Sequence, residues 1–115
     1  MNSRTEASRM AYGYLRVLSD AAERAAYAQE RDMKCFAEER GFQLVAIYHE
    51  FVCGALDAFN EMVEALSYTG ARLVVVPSLS HLGESGRLRD ALLDRFEFGV
   101  EARVYALDTS LVAGA

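Results

Sequence analysis

Side chains able to do acid–base, nucleophilic or phosphate chemistry fall in three short stretches: Arg16, Ser19 and Asp20; His49, Glu50 and Cys53; Ser78, Ser80, His81 and Glu84. A serine beside a histidine invites a hydrolytic dyad of Ser78 or Ser80 with His81. Neighbours in sequence rarely face one another in a catalytic hydrogen bond, however, and no third group orients the histidine. His49 and Glu50 could meet His81 across adjacent strand ends as metal ligands. Such residues are common on surface loops, and no metal is expected. The nearby glycines, Gly54 and Gly83, are isolated, so there is no glycine-rich phosphate cradle and no cofactor is expected. Cys35 and Cys53 fit no zinc or redox spacing and read as reduced thiols of a cytoplasmic protein.

These stretches follow the ends of apolar runs. Ala11–Leu18 reads as a strand buried on both faces. Ser19 or Asp20 then caps a helix reaching Arg40, with Ala22, Ala26, Gln29, Met33 and Phe36 on one stripe and Gly41 ending it. Leu44–Tyr48 is a second strand, and His49–Asp57 a loop. Phe59, Met62, Val63 and Leu66 mark a second amphipathic helix closed by Gly70. Leu73–Val76 is wholly apolar and β-branched at three positions, hence central in the sheet; Pro77 stops it. After the loop Ser78–Ser85, Leu88, Leu92 and Phe96 mark a third helix ending near Gly99, and Ala102–Leu107 is a fourth strand. The order β-α-β-α-β-α-β predicts a three-layer α/β domain. Its sheet is mostly parallel, of four to five strands, with helices on both faces. In such sheets, sites form at the carboxyl ends of the strands, where all three chemical stretches lie.

The composition agrees with one globular domain. The chain has 115 residues, 52% hydrophobic and 25% charged, which fits a packed core rather than a disordered chain. Residues 1–10 read as a flexible arm with no apolar signal segment, 11–107 as the core, and 108–115 as a short tail that frays. No apolar run is long enough to span a membrane. The net charge of −5, from 17 acidic and 12 basic residues, argues against a free-standing nucleic-acid binder.

Tyr14-Leu15-Arg16-Val17-Leu18-Ser19-Asp20, leading into a long helix, resembles the opening motif Tyr-x-Arg-Val-Ser-Thr of the serine site-specific recombinases (resolvases and invertases). Gln29 falls where that family has a glutamine, and Gly41–Glu50 resembles its glycine–strand–acid stretch. Cys53-Gly54 stands for its Ser-Gly, and Leu73–Gly83 resembles its apolar strand leading to Leu-Asp-Arg-Leu-Gly-Arg. The resemblance covers residues 11–107 and implies a resolvase catalytic-domain fold. It also implies DNA cutting by a serine hydroxyl, with arginines stabilising the phosphate.

The departures fall on the site. Leu18 stands at the nucleophile position and has no nucleophilic atom; Ser19 aligns with the following threonine and reads as a helix N-cap. Ser80 replaces an aspartate, His81 an arginine, and Glu84 a second arginine, a charge reversal at a phosphate pocket. No Lys or Arg lies between Arg40 and Arg72, where the family has an arginine at the start of the second helix. Arg16 alone survives from the cluster, and a pairing with Glu50, Asp20 or Glu84 is expected of it. Arg16, Leu18, Ser19, Ser80, His81 and Glu84 are thus degenerate site positions, supported by Tyr14, Glu50, Gly54 and Gly83. The expectation is that the chain is not an enzyme but a protein-interaction or regulatory module. The alternative is hydrolytic or DNA strand-transfer chemistry by Ser19, or by Ser80 with His81, together with Arg16. The dimerisation helix and helix-turn-helix reader of active relatives are not expected in it. A protein partner or self-association is expected instead, with no membrane contact. Binding to random duplex should be weak, with a Kd above about 10⁻⁴ M at physiological salt.

Overall fold

The structure is a computed structural model and describes residues 9–52, 55–83, 85–99, 101–108 and 111–113. Strand β1 (Met10–Arg16) leads through Val17–Ser19 into helix α1 (Asp20–Glu39). Ser19 is extended and its hydroxyl accepts from the Ala22 N–H, so the expected cap is formed; Gly41, at φ 82°, turns the chain out of the helix. Strand β2 (Gln43–Glu50), helix α2 (Asp57–Thr69) and strand β3 (Leu73–Val76) follow. A 3₁₀ turn (Leu79–Leu82) precedes helix α3 (Gly86–Asp94), which runs into a π turn (Arg95–Gly99) before β4 (Arg103–Ala106) and β5 (Leu111–Ala113).

The strand order is β2-β1-β3-β4-β5, parallel throughout except for β5, which pairs antiparallel with β4. The expected mostly parallel α/β sheet is therefore present, with β3 at its centre and all four of its residues buried. Alternate residues of β1 serve two cores. Ala11, Leu15 and Val17 pack with Met33, Phe36 and Ala37 of α1 on one face. Tyr12 and Tyr14 pack with Phe59, Met62, Leu66, Leu92 and Phe96 of α2, α3 and the π turn on the other. Phe59 anchors that second core, edge-on to Tyr14 with centroids 5.7 Å apart and 5.1 Å from Phe96.

Three local readings change. His49 and Glu50 are the last residues of β2 rather than loop, because the ladder with β1 continues to the pair Arg16–Glu50. The segment after β3 is not wholly irregular but closes a 3₁₀ turn with Gly83 N donating to the Ser80 carbonyl. Part of the tail expected to fray forms β5, because β4 would otherwise leave its outer edge unpaired.

Candidate active site

From β1 the chain moves to β2 on one side and later to β3 on the other, so the order of strand addition reverses between β1 and β3 while the strands stay parallel. A crevice opens outside the carboxyl ends of two such strands. Arg16 ends β1, and His81 rides on the 3₁₀ turn just beyond β3. The Arg16 backbone N–H donates to His81 Nδ1 at 2.9 Å, joining the ends of the two strands across 65 residues of sequence. Burial first, and the Arg16 charge second, lower the His81 pKa from its ordinary value, with Asp108 pulling the other way.

The Arg16 side chain is half-buried, and its Nε and Nη1 are shielded from solvent with no hydrogen-bond partner among the described residues. The expected ion pair with Glu50 or Asp20 is therefore not formed, and the third expected partner, Glu84, lies outside the described residues. Glu50 is the cross-strand neighbour of Arg16, but both its oxygens are taken: Oε1 accepts from the Tyr14 hydroxyl at 2.9 Å and from Phe59 N at 3.2 Å, and Oε2 from Ala58 N at 3.0 Å. Helix α2 starts after Leu56, which offers no side-chain cap. The buried Glu50 carboxylate, 3% exposed, performs that task from the end of β2, aided by the positive end of the helix dipole. Burial, and next the hydrogen bond and charge of Glu50, push the Tyr14 pKa up, so Tyr14 stays a donor at any physiological pH.

His49, Glu50 and His81 do not converge on one point, because successive β2 residues point to opposite faces. Glu50 faces α2, whereas His49 Nε2 meets Glu30 of α1 at 2.7 Å. No group of three possible ligands occurs among the described residues. The Ser–His dyad does not form either: Ser80 Oγ lies 2.6 Å from Ser78 Oγ, and His81 Nδ1 is occupied by the Arg16 amide. Leu18 is half-buried and Ser19 exposed at the start of α1. Gly54 and Glu84, with Cys53, lie outside the described residues. Cys35 is a free, exposed thiol.

Two arginines reach this end of the sheet without a sequence signal. Arg89 of α3 donates from Nη2 to the Gly83 carbonyl at 3.4 Å, while its Nε is buried without a partner among the described residues. Arg95 donates to Asn60 at 2.7 Å and lies over the Phe59 ring, bringing a guanidinium to the first turn of α2. The only hint was helical spacing: Arg89 and Leu92 share a face of α3, while Arg95 meets α2 through the π turn.

Gly83 ends the turn that carries His81, at φ 146° and ψ 146°, a region closed to side chains. A Cβ there would stand 2.9 Å from Leu88 Cγ and Cδ2 and 3.2 Å from Leu88 Cβ. Gly83→Ala is therefore expected to lower stability by about 1–3 kcal/mol, read as an earlier urea midpoint. An unchanged midpoint would mean that the turn relaxes freely.

Residues 11–110 match the family model of the resolvase N-terminal domain. The chain belongs to that family. No curated protein matches it. Among solved structures it resembles a resolvase family site-specific recombinase from Streptococcus pneumoniae, with TM-score 0.77 and 19% identity, covering 90% of this chain and 75% of that one. It also resembles the N-terminal catalytic domain of TP901-1 integrase, with TM-score 0.72 and 19% identity, covering 92% and 82%. A third likeness is to the C-terminal catalytic domain of ISC1926 TnpA, an IS607-like serine recombinase, with TM-score 0.72 and 14% identity, covering 85% and 70%. These findings establish a resolvase-like serine recombinase domain, and they overturn the expectation that the chain is not an enzyme. The family and its structural neighbours are serine recombinase catalytic domains, which are enzymes. Among the described residues no helix is long and apolar enough to cross a membrane.

Proposed function

We propose that this resolvase-family domain carries out DNA strand transfer, with Arg16 gripping the backbone phosphate and Ser19 attacking it. The observation that carries the reading is the pair of buried N–H groups on Arg16, without a partner among the described residues, at the switch point of the sheet. Leaving donors unsatisfied in the interior costs stability, so such groups call for an acceptor such as a ligand, an ion or water. A guanidinium presents a planar fork suited to phosphate oxygens, and Arg89 adds a second under-satisfied one beside the same turn. Ser19 is exposed, and its oxygen accepts from Ala22 N, which leaves its own proton free to depart. In the step, a Ser19 Oγ–phosphorus bond forms and the bond from phosphorus to one deoxyribose oxygen breaks. The hydroxyl proton leaves Ser19, and the departing oxygen takes one up.

The charge of −5 argues that the domain does not hold DNA by itself; a protein partner or a second copy supplies the affinity. The test is incubation with concentrated supercoiled DNA at low salt, then denaturing electrophoresis for a protein–DNA adduct. An adduct in the wild type that is lost in Ser19→Ala is the expected result. Absence of adduct in the wild type, or its persistence in Ser19→Ala, would remove the assignment.

A further inference from the structure

We propose that His81 is a positioning residue for Arg16 and a proton-sensitive latch on the anion pocket: its neutral ring holds the Arg16 main chain through Nδ1, and a proton on that nitrogen releases it. This deepens the reading of Arg16 as the phosphate-gripping group and rests on it.

The tautomer follows from the geometry. A backbone N–H can only donate, so the Nδ1 that receives it at 2.9 Å must carry a lone pair, and the ring proton sits on Nε2. The bond fills a gap in the sheet. On the other side of β1 the ladder continues past Arg16, with Val17 N donating to the Glu50 carbonyl. On the β3 side the register ends at Gly13–Val75. Arg16 N therefore lies beyond the last residue of β3 that could receive it, and the imidazole stands in for the missing strand.

Protonation would remove that acceptor and place a second cation beside the Arg16 guanidinium. The charged groups facing His81 are Arg16 from β1, which opposes protonation, and Asp108 beyond β4, which favours it more weakly. Glu84, three residues along, lies outside the described residues. Because burial and Arg16 lower the folded pKa, the latch is closed at neutral pH. Its contribution is complete above the ordinary histidine pKa and is lost as pH falls through the lowered folded value.

The two ring nitrogens can be separated by substitution. In His81→Asn, the amide oxygen replaces Nδ1; in His81→Gln, the polar atoms lie near Nε2 instead. The experiment follows Arg16 amide exchange in the 115-residue chain by ¹⁵N NMR, corrected for intrinsic rates, from pH 7.5 to 5. The Arg16 Nε–H then reports binding of dimethyl phosphate, which remains a monoanion over this range. Arg16 amide protection in the wild type is expected to fall with His81 protonation, and that in His81→Asn to be independent of pH. At pH 7.5, His81→Gln should bind roughly five- to tenfold more weakly than the wild type and His81→Asn within about twofold, the loss expected for one hydrogen bond.

Equal behaviour of the two variants, or an Arg16 amide indifferent to pH in the wild type, would overturn the latch. So would tighter binding by the wild type at low pH, which would make His81 a second cation instead. The wild-type titration decides even if a variant fails to fold. Absence of dimethyl phosphate binding alongside a pH-responsive Arg16 amide would count against the phosphate reading and leave the latch standing.

Discussion

Glu50→Ala is expected to destabilise the domain by about 3–5 kcal/mol, a loss as large as that of a core side chain. The carboxylate joins three groups that have no other partner among the described residues. The Tyr14 hydroxyl donates to it from β1, and Ala58 and Phe59 donate their backbone N–H groups from the first turn of α2. Truncation leaves a phenol and two amides without acceptors, each unsatisfied group costing about 1–3 kcal/mol where water cannot reach it. Part of this is relieved if the first turn of α2 frays. The helix cannot retreat far, because Phe59 is fully buried against Tyr14 and Phe96. Glu50→Gln should be intermediate, since its oxygen still accepts while its NH₂ faces another donor.

A double-mutant cycle sharpens the test. Tyr14→Phe alone should cost about 1 kcal/mol, one neutral-to-charged hydrogen bond offset by the release of a lone pair. In the Glu50→Ala background it should be neutral or stabilising, because it then removes an orphaned hydroxyl. Urea denaturation of the wild type, the two single variants and the double variant gives the coupling directly. A Glu50→Ala cost below about 1 kcal/mol would mean that α2 is capped by another group.

The role of Glu50 also shows where the sequence stopped being informative. Strand β3 was legible because a strand covered on both faces must be apolar at every position, and Leu73–Val76 is. The Ser19 cap and the Met33–Phe36 stripe were legible because both depend on neighbours within one or two turns. Glu50 works across 8, 9 and 36 residues, so no local pattern records it. That Leu56 is the residue at the start of α2, and cannot cap it, emerges only from the structure. The site divided the same way. Arg16 and His81 were singled out as individual residues near strand ends, and the structure places them in contact. That they touch follows from the reversal of strand order between β1 and β3, which residue types do not encode. Arg89 and Arg95 reach this end of the sheet only through the packing of α3 and the π turn.

The opposite trade is expected at Arg16. Arg16→Met should stabilise the fold by about 1–3 kcal/mol while lowering adduct formation by at least about a hundredfold. Met keeps the length and apolar stem of the side chain but removes Nε and Nη1, the two shielded donors without partners among the described residues. The hydrogen bond from residue 16 to His81 survives, since it belongs to the main chain. The latch bond is therefore kept, but loss of the Arg16 charge removes one of the causes that lower the His81 pKa, so the comparison is made well above the ordinary histidine pKa, where the effect on activity isolates the guanidinium. Arg16→Lys is the control for charge: it restores a cation but not the fork, so it should recover little of the lost rate. Thermal unfolding and the adduct assay, run on the wild type and both variants, decide between two physical pictures. If the guanidinium is a phosphate ligand waiting for its substrate, stability and activity move in opposite directions, as they do where a functional group is held in an unfavourable setting. If both fall together, Arg16 holds the fold through contacts of its own, and the anion pocket has to be sought around Arg89.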